Sequence, residues 1–225
     1  MKKLLLCGLA AFALAPLPAA ARPMTATDLA TMKRIGAPTV SPDGRWLVYQ
    51  LRETDLAANR GRTDLWLLDL NRPNAIPVKI ASTPQHNEHD ARFSADGRWL
   101  YYLSGQSGSE QVWRVSLPNG RPQQVTSVNG GVSGYLPAPT GDRIAIWADR
   151  DQRCADLVCS GVPEAAEGQG SGRAYSEIFV RHWDSWITPN NYSRIFILPL
   201  GRDGRATGNG TPVAPGLRGH APTRP

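Results

Sequence analysis

Cysteine is scarce in this chain. There are three in 225 residues, too few for a fold stapled by several disulfides. Long apolar runs are also lacking: the stretch Leu4 to Leu14 is short, is followed by Pro16 and Pro18, and falls well below the ~20 residues a bilayer-spanning helix needs. Charge of one sign never accumulates. The net charge is +6, and the arginines are scattered through turns and strand ends with no run of five or six, which favours a solvated surface over a nucleic-acid-binding face.

What the chain does contain is a repeat. Ser41-Pro42-Asp43-Gly44-Arg45-Trp46-Leu47-Val48-Tyr49 returns as Ser94-Ala95-Asp96-Gly97-Arg98-Trp99-Leu100-Tyr101-Tyr102 and, worn down, as Ala138-Pro139-Thr140-Gly141-Asp142-Arg143-Ile144-Ala145-Ile146. The copies begin at Ser41, Ser94 and Ala138, 53 and then 44 residues apart. That spacing suits one four-stranded propeller blade, whereas a helical solenoid would show 3.6-residue periodicity. In Ser41-Pro42-Asp43-Gly44 the proline presets φ, the serine and aspartate can bond local amides, and the glycine closes a hairpin turn. The run Trp46 to Leu51 is too continuously apolar for a strand with one wet face, so it reads as a strand covered on both.

A second strand follows in each copy: Asp64 to Leu70, Gln111 to Leu117, and Arg194 to Leu200, each with an aromatic in third place, Trp66, Trp113 and Phe196. Edge strands close the units at Pro77 to Ala81, Pro122 to Thr126 and Pro212 to Ala214, where an outer position tolerates proline. The expected fold class is all-β: a partial β-propeller of about three four-stranded blades with a short N-terminal helix. The expected organisation is a signal peptide at 1–21, a helical lead-in at 22–35 and the propeller at 36–225, with blades at roughly 36–83, 87–128 and 131–215. Blade three carries an insertion at about 150–190. Ala221-Pro222-Thr223-Arg224-Pro225 repeats Ala37-Pro38-Thr39-Val40-Ser41 and reads as the first strand of a fourth blade.

Met1-Lys2-Lys3, the apolar run and Ala19-Ala20-Ala21 have the layout of a secretory signal, with cleavage expected between Ala21 and Arg22. The expected location is periplasmic or secreted. Cys7 comes too early, and behind Leu6, to be a lipoprotein anchor, so no membrane anchor is expected after signal removal. Cys154 and Cys159 then remain, and an even count in an oxidising compartment favours a disulfide. A zinc knuckle would need further ligands, of which the nearest histidine is His182.

The search for chemistry yields near misses. Gly105-Gln106-Ser107-Gly108-Ser109 lacks the final glycine of Gly-x-Ser-x-Gly, and Gly131-Val132-Ser133-Gly134 is a residue short; both lie between strands rather than on a strand-to-helix turn. His86-Asn87-Glu88-His89-Asp90 could ligate a transition metal, or could be the polar link between blades one and two. Arg181-His182-Trp183-Asp184 with Trp186 reads equally as a binding cluster or a packed insertion. No catalytic, cofactor-binding or metal residue is assigned, and no nucleic-acid partner is expected.

The Ser-Pro-Asp-Gly-Arg-Trp turn followed by an aliphatic strand resembles the TolB-like propeller repeat, which is related in turn to WD40-like repeats. The segment Cys154 to Cys159, together with Phe179-Val180-Arg181-His182-Trp183-Asp184-Ser185-Trp186, is similar to the third-blade insertion of exported serine peptidases of the prolyl oligopeptidase family, of the acylaminoacyl-peptidase and dipeptidyl-aminopeptidase type. The lead-in Met24 to Ile35 is similar too. The resemblance implies a propeller that caps an α/β-hydrolase domain and admits short peptides, with Ser, Asp and His on the hydrolase. None of those catalytic positions falls within these residues, so the hydrolase domain is the implied partner. A TolB-like periplasmic scaffold that binds proteins is the competing reading.

Overall fold

A computed structural model describes residues 22–159, 181–182, 185–186 and 191–217. The signal segment through Ala21, most of the insertion and the terminal repeat at Ala221 to Pro225 lie outside the described residues. Thr25 opens helix α1 (Ala26–Thr31) through a capping box, its side chain accepting from the Asp28 amide while Asp28 accepts from the Thr25 amide, which satisfies two orphan donors at once. The helix is shorter than the lead-in expected over 22–35 and buries none of its side chains. Met32 leaves helical geometry and Arg34 already pairs with Arg52, so ladder formation ends the helix.

Three four-stranded antiparallel sheets follow. The first contains β1 (Arg34–Val40), β2 (Trp46–Asp55), β3 (Arg60–Asp69) and β4 (Val78–Ala81). The second contains β5 (Glu88–Phe93), β6 (Trp99–Ser104), β7 (Gln111–Ser116) and β8 (Gln123–Gln124). The third is made by β9 (Gly134–Pro137), β10 (Arg143–Asp151), β13 (Asn191–Pro199) and β14 (Thr211–Pro212), the hairpin β11 (Arg181–His182) and β12 (Ser185–Trp186) having been inserted between its middle strands. Each sheet runs in chain order from inner to outer strand. Pro212 sits in the short outer strand β14, opposite Phe196, where a missing amide costs no inner ladder bond.

The repeated turn explains its own sequence. The Ser41 hydroxyl donates to the Asp43 carboxylate and accepts from the Trp46 amide at 2.9 Å, while Asp43 accepts from the Arg45 amide at 3.1 Å. Ser94, Asp96, Trp99 and Arg98 repeat the pattern. Gly44, Gly97 and Gly141 take φ of 73°, 67° and 73°, a region that costs a side-chain-bearing residue strain.

Two apolar cores lie between the sheets. Val48, Leu65 and Leu67 of blade one pack on Leu100, Tyr102 and Val115 of blade two. Tyr101, Leu103 and Val112 on the other side of blade two pack on Tyr135, Ile144, Ile146, Phe196 and Leu198 of blade three. Strand β6 therefore sends alternate residues into different cores, as the period of two requires, and its run Leu100 to Leu103 is buried throughout. At ~1.5–3 kcal/mol for each large side chain removed from water, these cores are the main cohesion between blades. The expectation of cover on both faces does not hold for β2, where Val48 is fully buried and Leu47, Tyr49 and Leu51 are half-buried. Blade one has a neighbour on one side among the described residues, so alternate side chains of β2 stay partly wet.

Candidate functional site

Strand direction alternates within each blade, so the loops after β2, β6 and β10 and the links between blades gather at one end. The His86 to Asp90 segment lies there, at the start of β5. Its backbone and side chains knit blades together. Arg60 donates to the Gln85 carbonyl at 3.0 Å, and the Thr63 amide to the Asn87 side-chain oxygen at 3.0 Å. From the other side, the buried Tyr135 hydroxyl donates to the Asp90 carbonyl at 2.5 Å. Asp90 itself takes φ of 50°.

Glu88 is 1% exposed. It accepts from the Thr83 hydroxyl, from the Thr83 amide at 3.3 Å and from the Ser104 hydroxyl at 3.2 Å. Burial is the largest influence on it and raises its carboxyl above the usual range, because a low-dielectric setting disfavours the charged form. His89 lies 2.8 Å from the Glu110 carboxylate, a contact that raises its imidazole above the usual value. The segment is thus tied to Thr63, Thr83, Ser104, Glu110 and Tyr135 rather than converging on one point. Among the described residues, no group of three or more His, Cys, Asp or Glu side chains is arranged to hold a metal ion.

The serines of the two near-miss motifs sit in loops. The Gln124 amide donates to Ser107 at 3.4 Å and the Gln111 amide to Ser109 at 3.0 Å, while the Ser133 amide donates to the Trp147 carbonyl at 2.7 Å. Gln111 is buried and also donates to the Val128 carbonyl, and accepts from the Val128 amide and the Thr126 hydroxyl, so one side chain fastens the link between blades two and three.

At the mouth of the insertion a disulfide joins Cys154 and Cys159, with Cα atoms 5.4 Å apart. Buried Arg194, reaching out of β13, donates to the Cys154 carbonyl at 2.6 Å and the Asp151 carbonyl at 3.3 Å. Arg153 pairs with buried Asp151 at 2.7 Å and holds its carboxyl down at about 2. Leu157 is buried against blade three and its amide donates to the Asn209 carbonyl at 2.9 Å. Of the Arg181 to Trp186 cluster, a two-rung hairpin pairs Arg181 with Trp186 and His182 with Ser185; Trp183 and Asp184 lie outside the described residues.

Sequence reading missed the buried arginines. Arg150 donates to the carbonyls of Asp149 and Asn129 at 2.7 and 2.5 Å, leaving its Nε without a partner. Arg114 stacks 3.9 Å over Trp99 and donates to the Asp203 carbonyl at 2.5 Å, joining blades two and three near their outer edge. An open cleft of about 540 Å³ beside it is lined by Trp113, Pro122, Gln123, Gln124, Asp203 and Arg205. The one available signal was position: Arg114 and Arg194 fall at alternating places in strands whose neighbours are apolar.

No family model matches the chain. It is 28% identical over 171 residues to dipeptidyl-peptidase 5 of Porphyromonas endodontalis, covering 73% of this chain and 23% of that protein. With dipeptidyl-peptidase 5 of Porphyromonas gingivalis it shares 23% over 159 residues, 70% of this chain and 22% of that one. These matches support a likeness of this chain to the propeller part of a prolyl oligopeptidase-family peptidase. Its length spans about a quarter of these relatives. The fold of this propeller part is shared with Pyrococcus horikoshii acylaminoacyl peptidase, with a TM-score of 0.56 at 9% identity over 82% of this chain and 26% of that one.

Proposed function

We propose that this chain forms part of the substrate-gating wall of an exported serine peptidase acting on short peptides, with an α/β-hydrolase domain as its partner. The observation that carries this reading is the match to two dipeptidyl-peptidases over some 70% of the chain. The architecture supports it: the polar side chains at the loop end are engaged in cross-blade hydrogen bonds, and the rigid, tied segments suit a wall that excludes rather than a centre that reacts. The charged start, apolar core and Ala19-Ala20-Ala21 of the sequence support export.

The test is size selectivity in the enzyme formed by this chain with a hydrolase domain of the family. A dipeptidyl 4-nitroanilide should be cleaved and folded casein left intact, and loosening the blade contacts should admit casein. Equal cleavage of both substrates before loosening would refute a gating role.

A further inference from the structure

Asparagine is followed by glycine at Asn119-Gly120, Asn129-Gly130 and Asn209-Gly210, and all three asparagines are exposed. The dipeptide is chemically labile, because a glycine amide nitrogen with no Cβ beside it can close on the preceding carboxamide within the same chain. The structure holds the three pairs differently. The Gly120 amide donates to the Ser116 carbonyl at 2.8 Å, so its proton is engaged. The Asn209 carboxamide donates to Asp156 at 3.2 Å, and a Cβ at Gly210 would meet Leu157 at 2.6 Å, so that pair is held at both residues. The Asn129 side chain and the Gly130 amide make no hydrogen bond among the described residues, and a Cβ at Gly130 would meet only Arg150 Nη1, at 3.9 Å.

Arg150 sets this pair further apart. It is 5% exposed, its Nε has no partner, and its Nη2 donates to the Asn129 main-chain carbonyl at 2.5 Å. That oxygen belongs to the same peptide group as the Gly130 nitrogen. When the nitrogen gives up its proton, the negative charge spreads onto the oxygen, where a buried guanidinium already sits. A cation placed in advance at a developing oxyanion lowers the barrier to forming it. The Asn209 carbonyl accepts instead from the neutral Leu157 amide at 2.9 Å.

We propose that Asn129-Gly130 is a self-modifying site, at which Arg150 promotes deamidation with water as the only co-reactant. The Gly130 nitrogen loses its proton to solvent and bonds to the Asn129 Cγ. The Cγ–Nδ2 bond breaks, and the nitrogen leaves as ammonia with a proton returned from water. A water molecule then opens the succinimide ring at either carbonyl, giving aspartate or isoaspartate. The product carries a new carboxylate on the residue whose carbonyl Arg150 grips, where that guanidinium otherwise meets only the carbonyls of Asp149 and Asn129.

The experiment incubates the full chain in mildly alkaline buffer, folded and in urea, and follows each Asn-Gly peptide by mass spectrometry. In the folded chain Asn129 should convert about tenfold faster than Asn119 or Asn209 and faster than it does itself in urea, where the three should converge. Arg150→Met, with circular dichroism confirming its strands, should slow Asn129 about tenfold, the factor carried by one hydrogen bond to a charged group, and leave the other two unchanged. Asn129→Gln should remove the modification while keeping the main-chain carbonyl. If Arg150→Met does not fold, Arg150→Gln takes its place, and if neither folds, the folded-to-urea ratio of the parent decides. A folded Asn129 no faster than the other two, or no faster than in urea, or a folded Arg150 variant with the parent's rate, would each overturn the proposal.

Discussion

The Tyr135 hydroxyl donates to the main-chain carbonyl of Asp90 across 2.5 Å, tying the inner strand of blade three to that of blade two. Tyr135 is fully buried, and burial holds its hydroxyl protonated well above the usual phenol range, so the donor is permanent. Asp90, at φ of 50°, is placed so that its carbonyl faces this partner.

Replacing Tyr135 by phenylalanine keeps the ring in the core and removes the donor. Losing this part-buried hydrogen bond costs about 0.5–1.5 kcal/mol, so Tyr135→Phe should lower stability by that much in chemical denaturation, with an unchanged m-value. An unchanged midpoint would show that the bond contributes nothing.

Glu88 should make stability depend on pH in the direction opposite to most carboxylates. Its folded pKa is raised, so above the ordinary glutamate value of about 4.3 the folded state binds more proton than the unfolded one, and stability falls as pH rises through that window. Glu88→Gln should flatten the decline seen by chemical denaturation from about pH 5 upward, a range above the titration of the aspartates whose carboxyls are held low. A slope identical to that of the parent would locate the effect elsewhere.

The Cys154–Cys159 disulfide closes a loop of sequence separation 5, and chain entropy assigns a loop that short about 2 kcal/mol. Alkylation without reductant should add no mass at these residues, and reduction should lower the melting temperature by a few degrees without unfolding the blades. Two alkyl additions before reduction would mean free thiols.

The blades were legible because their signals are local and repeated: the Ser-x-Asp-Gly turn, strand-length apolar runs and a regular period. The ladder partners of Trp66, Trp113 and Phe196 follow from that period alone. The burial of individual faces was not legible, since the same apolar run serves β6 with two neighbours and β2 with one among the described residues. The role of His86 to Asp90 was hidden for a related reason. Its partners Thr63, Glu110 and Tyr135 lie 20 to 50 residues away in sequence, and Asp90 contributes through its carbonyl, which no side-chain motif can reveal. Arg150 and Arg194 were missed because buried arginines that bond carbonyls leave no acidic partner to find.

The central claim is the proposed one, that these blades form propeller wall, and the most direct test is turnover. Purified residues 22–225, assayed with dipeptidyl and aminoacyl 4-nitroanilides, should release no product above the background of the buffer, because Ser107, Ser109 and Ser133 lie in loops between β-strands and not on the strand-to-helix turn a nucleophile elbow needs. Product release that is lost when Ser107, Ser109 or Ser133 is changed to alanine would contradict the account.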